Sequence, residues 1–311
     1  MIDITTLGEI LIDFTPVKTN NGKHTYEQNA GGAPANLLAA AAHYGGTCAF
    51  LGKVGTDAFG KFLEKTLKDC KIDTRGLRFD PVHNTTLAFV SLDESGDRSF
   101  SFYRNFGADV FLEPNEIAED VIRSSRIFHF GSLSLTADPV RSATDKALKI
   151  AKESGCLITM DPNYRPLLWK DEKTAVKTIR AYLPMADIAK LSMEELILVT
   201  GKSDVQAAME EVLGWGVRLV LVTDGPNGVT FATPRAHGFV PSMKVEVVDT
   251  TGAGDIFFGT FLYAITRDAP DLQVITAEQI SKAVAIAVRA SGLSTTKKGA
   301  IASIPSYEEV F

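Results

Sequence analysis

Apolar residues in this chain fall into short continuous runs that alternate with stretches of helical spacing. Ile2 to Leu7 predicts a first strand. Ala35 to Tyr44 predicts a helix, with Pro34 near its first turn and Gly45-Gly46 after its end. Cys48 to Val54 returns as a strand. Asp57 then stands as the cap of a helix whose apolar positions Phe59, Phe62, Leu63 and Leu67 recur at helical spacing. Further strands are predicted at Ile127 to Phe130, Leu157 to Met160, Ile188 to Leu191 and Leu219 to Thr223. Helices such as Val140 to Glu153 and Val205 to Leu213 alternate with them. Thr276-Ala277-Glu278-Gln279 reads as a capping box before a last amphipathic helix bearing Ile280, Val284 and Val288. Apolar strands separated by helices predict an α/β fold, with a mostly parallel sheet covered on both faces.

Two segments break this alternation. Ile10 to Gln28 holds strand-like pieces about a polar turn at Asn20-Asn21-Gly22. Thr85 to Arg104 reads as a hairpin: Leu87 to Leu92, a turn at Asp93-Glu94-Ser95-Gly96, then Arg98 to Tyr103 with alternating side chains. Both fall at ends of βα units. Residues 10–30 and 84–107, roughly, are therefore expected to form a small β-sheet lid over one end of the main sheet, within a single domain spanning residues 1–311.

Composition narrows the function classes. The 311 residues are 45% hydrophobic and 23% charged, enough for a large unaided core. A net charge of -6 argues against nucleic acid as the main partner, and no dense Lys/Arg run suggests a membrane surface. Cys48, Cys70 and Cys156 are widely spaced, which indicates neither a zinc site nor a disulfide framework. With Asp3 interrupting the N-terminal apolar residues, the expectation is a cytoplasmic protein.

The run Asp249-Thr250-Thr251-Gly252-Ala253-Gly254-Asp255 carries the chemistry. Small residues directly before an apolar helix let a ligand approach the backbone, and the N–H groups of a helix start attract anions. Asp255 closes the run as a candidate general base, beside an anion hole made by Gly252, Ala253 and Gly254. A base next to an anion cradle points to phosphoryl transfer to a hydroxyl. Near the other end, Gly31-Gly32 precede a helix on which Asn36 offers both donor and acceptor to sugar hydroxyls. Two P-loop or dinucleotide look-alikes fail: Gly201-Lys202-Ser203 has Leu196 where a glycine is required, and Gly252-x-Gly254 is followed by Phe257. His129 lies in an apolar strand and reads as a satisfied core residue.

Asp249 to Asp255 resembles the C-terminal signature of the ribokinase-like (PfkB) carbohydrate kinases. The N-terminal signature of that family is matched by Gly31-Gly32-Ala33-Pro34-Ala35-Asn36, and its sequel by Gly52-Lys53-Val54-Gly55-Thr56-Asp57 with Gly60. The resemblance covers essentially the whole chain in order, with one departure at Thr260, where the family usually has Ala or Gly. It implies a three-layer α/β/α core with a β lid, and an ATP-dependent sugar kinase that uses Mg²⁺. It also implies that Asp13 binds sugar beside Gly31, Gly32 and Asn36. The resemblance assigns Thr223, Gly225 and Gly228 to a loop along the ATP phosphates. Ser192 and Glu195 match the place of an Asn-x-x-Glu motif, with Glu195 organising Mg²⁺ through water and Lys190 facing phosphate. A monovalent cation, K⁺ by resemblance, is implied near Asp249 and Thr251, with backbone from Ser294 to Gly299.

Within the family, Ser101-Phe102-Tyr103-Arg104-Asn105 and Asp161-Pro162-Asn163-Tyr164-Arg165 are similar to fructokinases. This implies D-fructose as acceptor and fructose 6-phosphate as product, with Tyr103, Arg104 and Arg165 at the sugar. A 2-keto-3-deoxygluconate kinase would use similar arginines on its carboxylate, and a non-catalytic sugar-binding relative is the reading from another class. Exposed edges of the lid suggest a homodimer.

Overall fold

The structure, a computed structural model, describes residues 1–17, 25–92, 98–268 and 275–311. Along the chain its strands are β1 (Ile2–Leu7), β2 (Leu11–Val17), β3 (Thr25–Gly31), β4 (Cys48–Gly55), β5 (Asp73–Asp80), β6 (Leu87–Leu92), β7 (Arg98–Tyr103), β8 (Ser125–Gly131), β9 (Leu157–Asp161), β10 (Ile188–Ser192), β11 (Leu219–Thr223), β12 (Val229–Ala232) and β13 (His237–Val240). The α-helices are α1 (Ala33–His43), α2 (Ala58–Asp69), α3 (Glu119–Arg123), α4 (Val140–Glu153), α5 (Glu172–Tyr182), α6 (Met193–Thr200), α7 (Val205–Gly214), α8 (Ala253–Asp268), α9 (Ala277–Ser294) and α10 (Tyr307–Val310).

A nine-stranded sheet runs in the order β13-β12-β11-β10-β9-β8-β1-β4-β5. From β5 to β11 every pairing is parallel, and β12 and β13 close one edge as antiparallel strands. Helices cover both faces, which is why β4 is buried at every position. One apolar layer joins Phe50 of the sheet to Phe257, Phe258, Phe261, Ile280 and Val284 of α8 and α9. The other joins Phe128 and Phe130 to Leu148, Ile179, Met209 and Val212 of α4, α5 and α7. Each such fully buried side chain contributes about 1.5–3 kcal/mol.

The expected caps form. Asp57 accepts the N–H of Gly60 at the start of α2, and Thr276 and Gln279 make the capping box of α9. The helix after the Asp249–Asp255 run begins at Ala253, so the small residues are its first turn. His129 is buried and bonded to Thr159 Oγ1 at 3.0 Å, as a core histidine should be.

The second sheet has the order β3-β2-β6-β7, with β2 and β6 parallel and the outer pairs antiparallel. The turns at Asn20-Asn21-Gly22 and Asp93-Glu94-Ser95-Gly96 lie outside the described residues. Register divides the sheet's faces. Ile12 pairs with Leu87 and Leu87 with Tyr103, while Phe14 pairs with Phe89. Strand alternation therefore puts Ile12, Phe14, Phe89 and Tyr103 on one face and Asp13 on the other. Its chain meets the main body at four crossings: 8–10, Gly32, 81–86 and 104–107. Among the described residues no helix is long and apolar enough to cross a membrane.

Candidate active site

The site forms where the C-terminal ends of β8, β9 and β10 meet the N-terminus of α8. Gly252 makes the turn into the helix with φ +74°, and a Cβ there would lie 2.5 Å from Ala300 Cβ. Ala253 donates its N–H to Thr250 O at 3.2 Å. Among the described residues the N–H groups of Gly252, Gly254 and Asp255 take no backbone acceptor, so of the three predicted donors only Ala253 is engaged in the turn.

Asp255 is 8% exposed, and two amides hold its carboxylate. Asn36 Nδ2 of α1 donates to Oδ2 at 2.9 Å, and Asn163 Nδ2 donates to Oδ1 at 2.9 Å. Asn163 itself sits at φ +46°, a left-handed conformation that aims its amide from the end of β9. Burial pushes the Asp255 carboxyl up to about 6. The Asn36 hydrogen bond opposes that rise, the Asp161 charge adds to it, and Lys190 and Arg165 oppose it.

Lys190 of β10 is buried and pairs with Asp161 Oδ2 at 2.9 Å. Burial disfavours its charge, yet Asp161, Glu195 and Asp255 together hold it protonated above the ordinary lysine range. A Cβ on Gly254 would lie 3.0 Å from Lys190 Nζ, so the ammonium stands directly beneath the first turn of α8. Glu195 forms a capping box with Ser192 and also accepts the Tyr164 N–H at 2.7 Å. Burial and the Asp161 charge push its carboxyl up.

On the sugar side, the structure changes the reason for the glycines. A Cβ on Gly31 would lie 1.9 Å from Asp13 Oδ2, and one on Gly32 would lie 2.6 Å from Glu9 O. The chain itself needs that space. Asp13 is pushed up to about 6 by burial, with Arg165 opposing and Asp255 adding. Asp13, Arg165 and Asp255 therefore share one field. Tyr103 is a correction. It lies on the opposite face of the small sheet from Asp13, 67% exposed, its ring 5.5 Å from that of Phe89. Arg104 is a second correction. It is 6% exposed, its three nitrogens donate to Asp109, Thr136 and Leu133, and it is not among the residues that line the cavity around Asp255.

Thr223 ends β11 beside Ser192, and Gly225 and Gly228 both take positive φ in the turn to β12. Asp224, in the same loop, accepts from Asn227 Nδ2. Asp249 accepts the N–H groups of Thr251 at 2.8 Å and Gly299 at 3.0 Å, which ties the run to the 294–299 segment.

A cavity of about 530 Å³ gathers Arg165, Lys190, Glu195, Gly252, Gly254 and Asp255. A larger groove of about 1100 Å³ opens at Arg126, Lys149, Cys156 and Asp187, at the N-terminal ends of the strands. The smaller cavity is the candidate site, because open parallel sheets bind ligands beyond the carboxyl ends of their strands and the perturbed groups converge there. Asp161 and Asn163 are the residues that sequence reasoning leaves out of this site. The signal was in the quoted Asp161-Pro162-Asn163 segment, but nothing in it says that Asn163 reaches Asp255.

The chain is similar to known proteins along its length. The model of the pfkB family carbohydrate kinases matches residues 1–307. A protein named probable fructokinase-2 from Arabidopsis thaliana is 41% identical over 310 residues, covering 97% of this chain and 93% of that one. The crystal structure of a Xylella fastidiosa fructokinase with bound ATP superposes with a TM-score of 0.92 at 33% identity, covering 99% of this chain and 96% of that one. A double-mutant Vibrio cholerae fructokinase with fructose, ADP and potassium ion bound gives 0.89 at 35% identity, covering 100% of this chain and 97% of that one. On the family match and these relatives, the chain belongs to the pfkB family of carbohydrate kinases and is a sugar kinase.

Proposed function

We propose that this chain is an ATP-dependent fructokinase that makes fructose 6-phosphate. The observation that carries the reading is Asp255: a carboxylate buried at a helix start, fixed at both oxygens by neutral amides and facing a cavity with one buried ammonium. Amides orient the carboxylate without neutralising it, so it keeps its basicity. In the proposed reaction Asp255 takes the proton of the acceptor hydroxyl as that oxygen bonds to the γ-phosphorus. The bond from phosphorus to the ADP oxygen breaks, and the charge stays on ADP. Lys190 and the open N–H groups of Gly254 and Asp255 face the phosphoryl oxygens, each donor being worth a few kcal/mol, about 2.7–4, in the transition state.

Fructose lies against Asp13, Asn36, Gly31 and Gly32, with Arg165 at the cavity rim. ATP runs from Lys190 and Ser192 toward Thr223, Gly225 and Gly228. The acceptor choice draws on relatives named as fructokinases, one of them with fructose bound. Among the described residues no group of three or more His, Cys, Asp or Glu side chains could cage a metal ion. Mg²⁺ keeps several waters and rests on phosphate plus one or two carboxylates. Asp161 and Glu195 are the carboxylates in reach of that role, and Mg²⁺ would supply charge neutralisation across the phosphates. Asp249, with a buried carboxylate tied to the backbone at Gly299, offers oxygen ligands of the kind K⁺ takes. The exposed rings of Tyr26 and Tyr103 on the outer face of the small sheet support a homodimer through that sheet.

Four outcomes test this reading. Asp255→Asn keeps the shape and removes the base, and should lower kcat by about a thousandfold; turnover within a few-fold of the parent would sink the role. Activity should fall as pH drops through about 6, because Asp255 must be ionised and its carboxyl is raised to that value. Asp13 titrates near the same point, so the acid limb of kcat/KM should be steeper than one proton allows; a flat profile down to pH 5 would contradict both assignments. A coupled ADP-release panel of fructose, ribose, adenosine, 2-keto-3-deoxygluconate and fructose 6-phosphate should favour fructose. Preference for the keto acid would assign Arg165 to its carboxylate instead, and sugar binding with no turnover would indicate a non-catalytic relative. Sedimentation should give a dimer for the parent and a monomer for Tyr103→Glu, and a monomeric parent removes the dimer.

A further inference from the structure

The small sheet meets the main body at four crossings: one buried hydrogen-bonded cluster joins the third and fourth, and a buried carboxylate in its field ties the first to the second. Glu9 lies in the first crossing and accepts the Ala33 N–H at 3.1 Å, just past Gly32 in the second. Thr86 ends the third and donates to Asp109 Oδ1. Arg104 opens the fourth and donates through Nε to Asp109 Oδ2 at 2.7 Å. Its other nitrogens reach the main body after β8, at Thr136 Oγ1 (3.0 Å) and Leu133 O (2.9 Å). Glu9, Thr86, Arg104 and Asp109 are each no more than 6% exposed. Glu9 sits in the field of both Arg104 and Asp109. The packing leaves no slack: a Cβ on Gly107 would lie 1.9 Å from Thr86 Oγ1 and 2.8 Å from Asp109 Oδ1.

We propose that Arg104 is a positioning residue, the pin of an ionic hinge with Asp109, Glu9 and Thr86 that fixes the small sheet over the sugar pocket without touching the sugar. A planar guanidinium with donors in three directions fixes an angle, which a flexible ammonium does not. Buried ion pairs add little net stability against an apolar alternative, but breaking one partner is costly, so such a cluster holds one geometry firmly. The geometry it holds is the useful one. The Glu9 crossing carries Asp13 on β2, and the Ala33 crossing carries Asn36, the amide that orients Asp255.

The proposal rests on the sugar-kinase reading for its kinetic arm only. Asp109 and Thr136 line neither the 530 Å³ cavity nor the narrow pocket beside it among Glu9, His129 and Asp255, so their variants separate positioning from contact. Asp109→Asn and Thr136→Val, like Arg104→Lys, should raise KM for the acceptor sugar by roughly tenfold and leave KM for ATP within about twofold. Each should also raise the ADP released per sugar phosphate formed, because a misaligned lid admits water as the phosphoryl acceptor. Without any substrate, amide exchange at residues 11–17 and 87–92 should quicken in all three variants, with β8 to β11 unchanged. If Arg104→Lys alone impairs the sugar KM, Arg104 is a direct ligand and the proposal falls. If lid exchange is unchanged, or if melting temperature and both KM values move together, the cluster is no hinge. A parent enzyme with no fructose turnover would defeat the fructokinase reading, while the exchange experiment would still decide this one.

Discussion

In the role proposed for it, a carboxylate taken out of water at the start of α8 has to be held without being neutralised, and much of this structure is consistent with that need. A cation bonded to Asp255 would remove the basicity that phosphoryl transfer requires. Two amides are used instead, from Asn36 on α1 and Asn163 after β9. Each donor imposes a condition on the fold. For Asn36 to reach, α1 must lie close against α8, and it does so where Gly259 faces Leu37: a Cβ there would be 2.2 Å from the Leu37 carbonyl oxygen. For Asn163 to reach, its backbone must enter a left-handed conformation that non-glycine residues seldom adopt. Local strain and close helix packing are thus both spent on one side chain.

The positive charge follows the same economy. Lys190, paired with Asp161, stands beneath the first turn of α8. In the proposed reaction phosphate meets the ammonium and the helix N-terminus together, while the base stays an anion. Separating cation and base in this way lets one cavity serve both the incoming phosphoryl group and the hydroxyl that attacks it.

The small sheet poses a different problem. Its register gives it two unlike faces, one carrying Asp13 and one carrying Phe14, Phe89 and Tyr103. Its joints are built from charge and hydroxyl groups buried at the crossings. An apolar joint would have been at least as stable, but apolar contacts slide, and directional donors do not.

How legible all this was depends on range. The alternation of apolar runs and helical stretches is local, and it set out the mostly parallel sheet, a second smaller sheet and the caps at Asp57 and Thr276. The two glycine-bearing runs are local as well, and the reaction class could be read from them because backbone approach, helix start and carboxylate must be adjacent in sequence to work. Register is not local. Tyr103 shares a sequence patch with Arg104 but faces away from Asp13, because pairing across β6 decides which face an alternating strand shows. Arg104 is drawn inward by Asp109, Thr136 and Leu133, partners that no spacing rule connects. Asn163 lies 92 positions from the carboxylate it orients. The sequence by itself determined the fold class and the kind of chemistry, since both rest on neighbours along the chain. Only the tertiary structure decided which side chains converge on Asp255, since hydrogen-bond reach is about 3 Å in space and indifferent to distance in sequence.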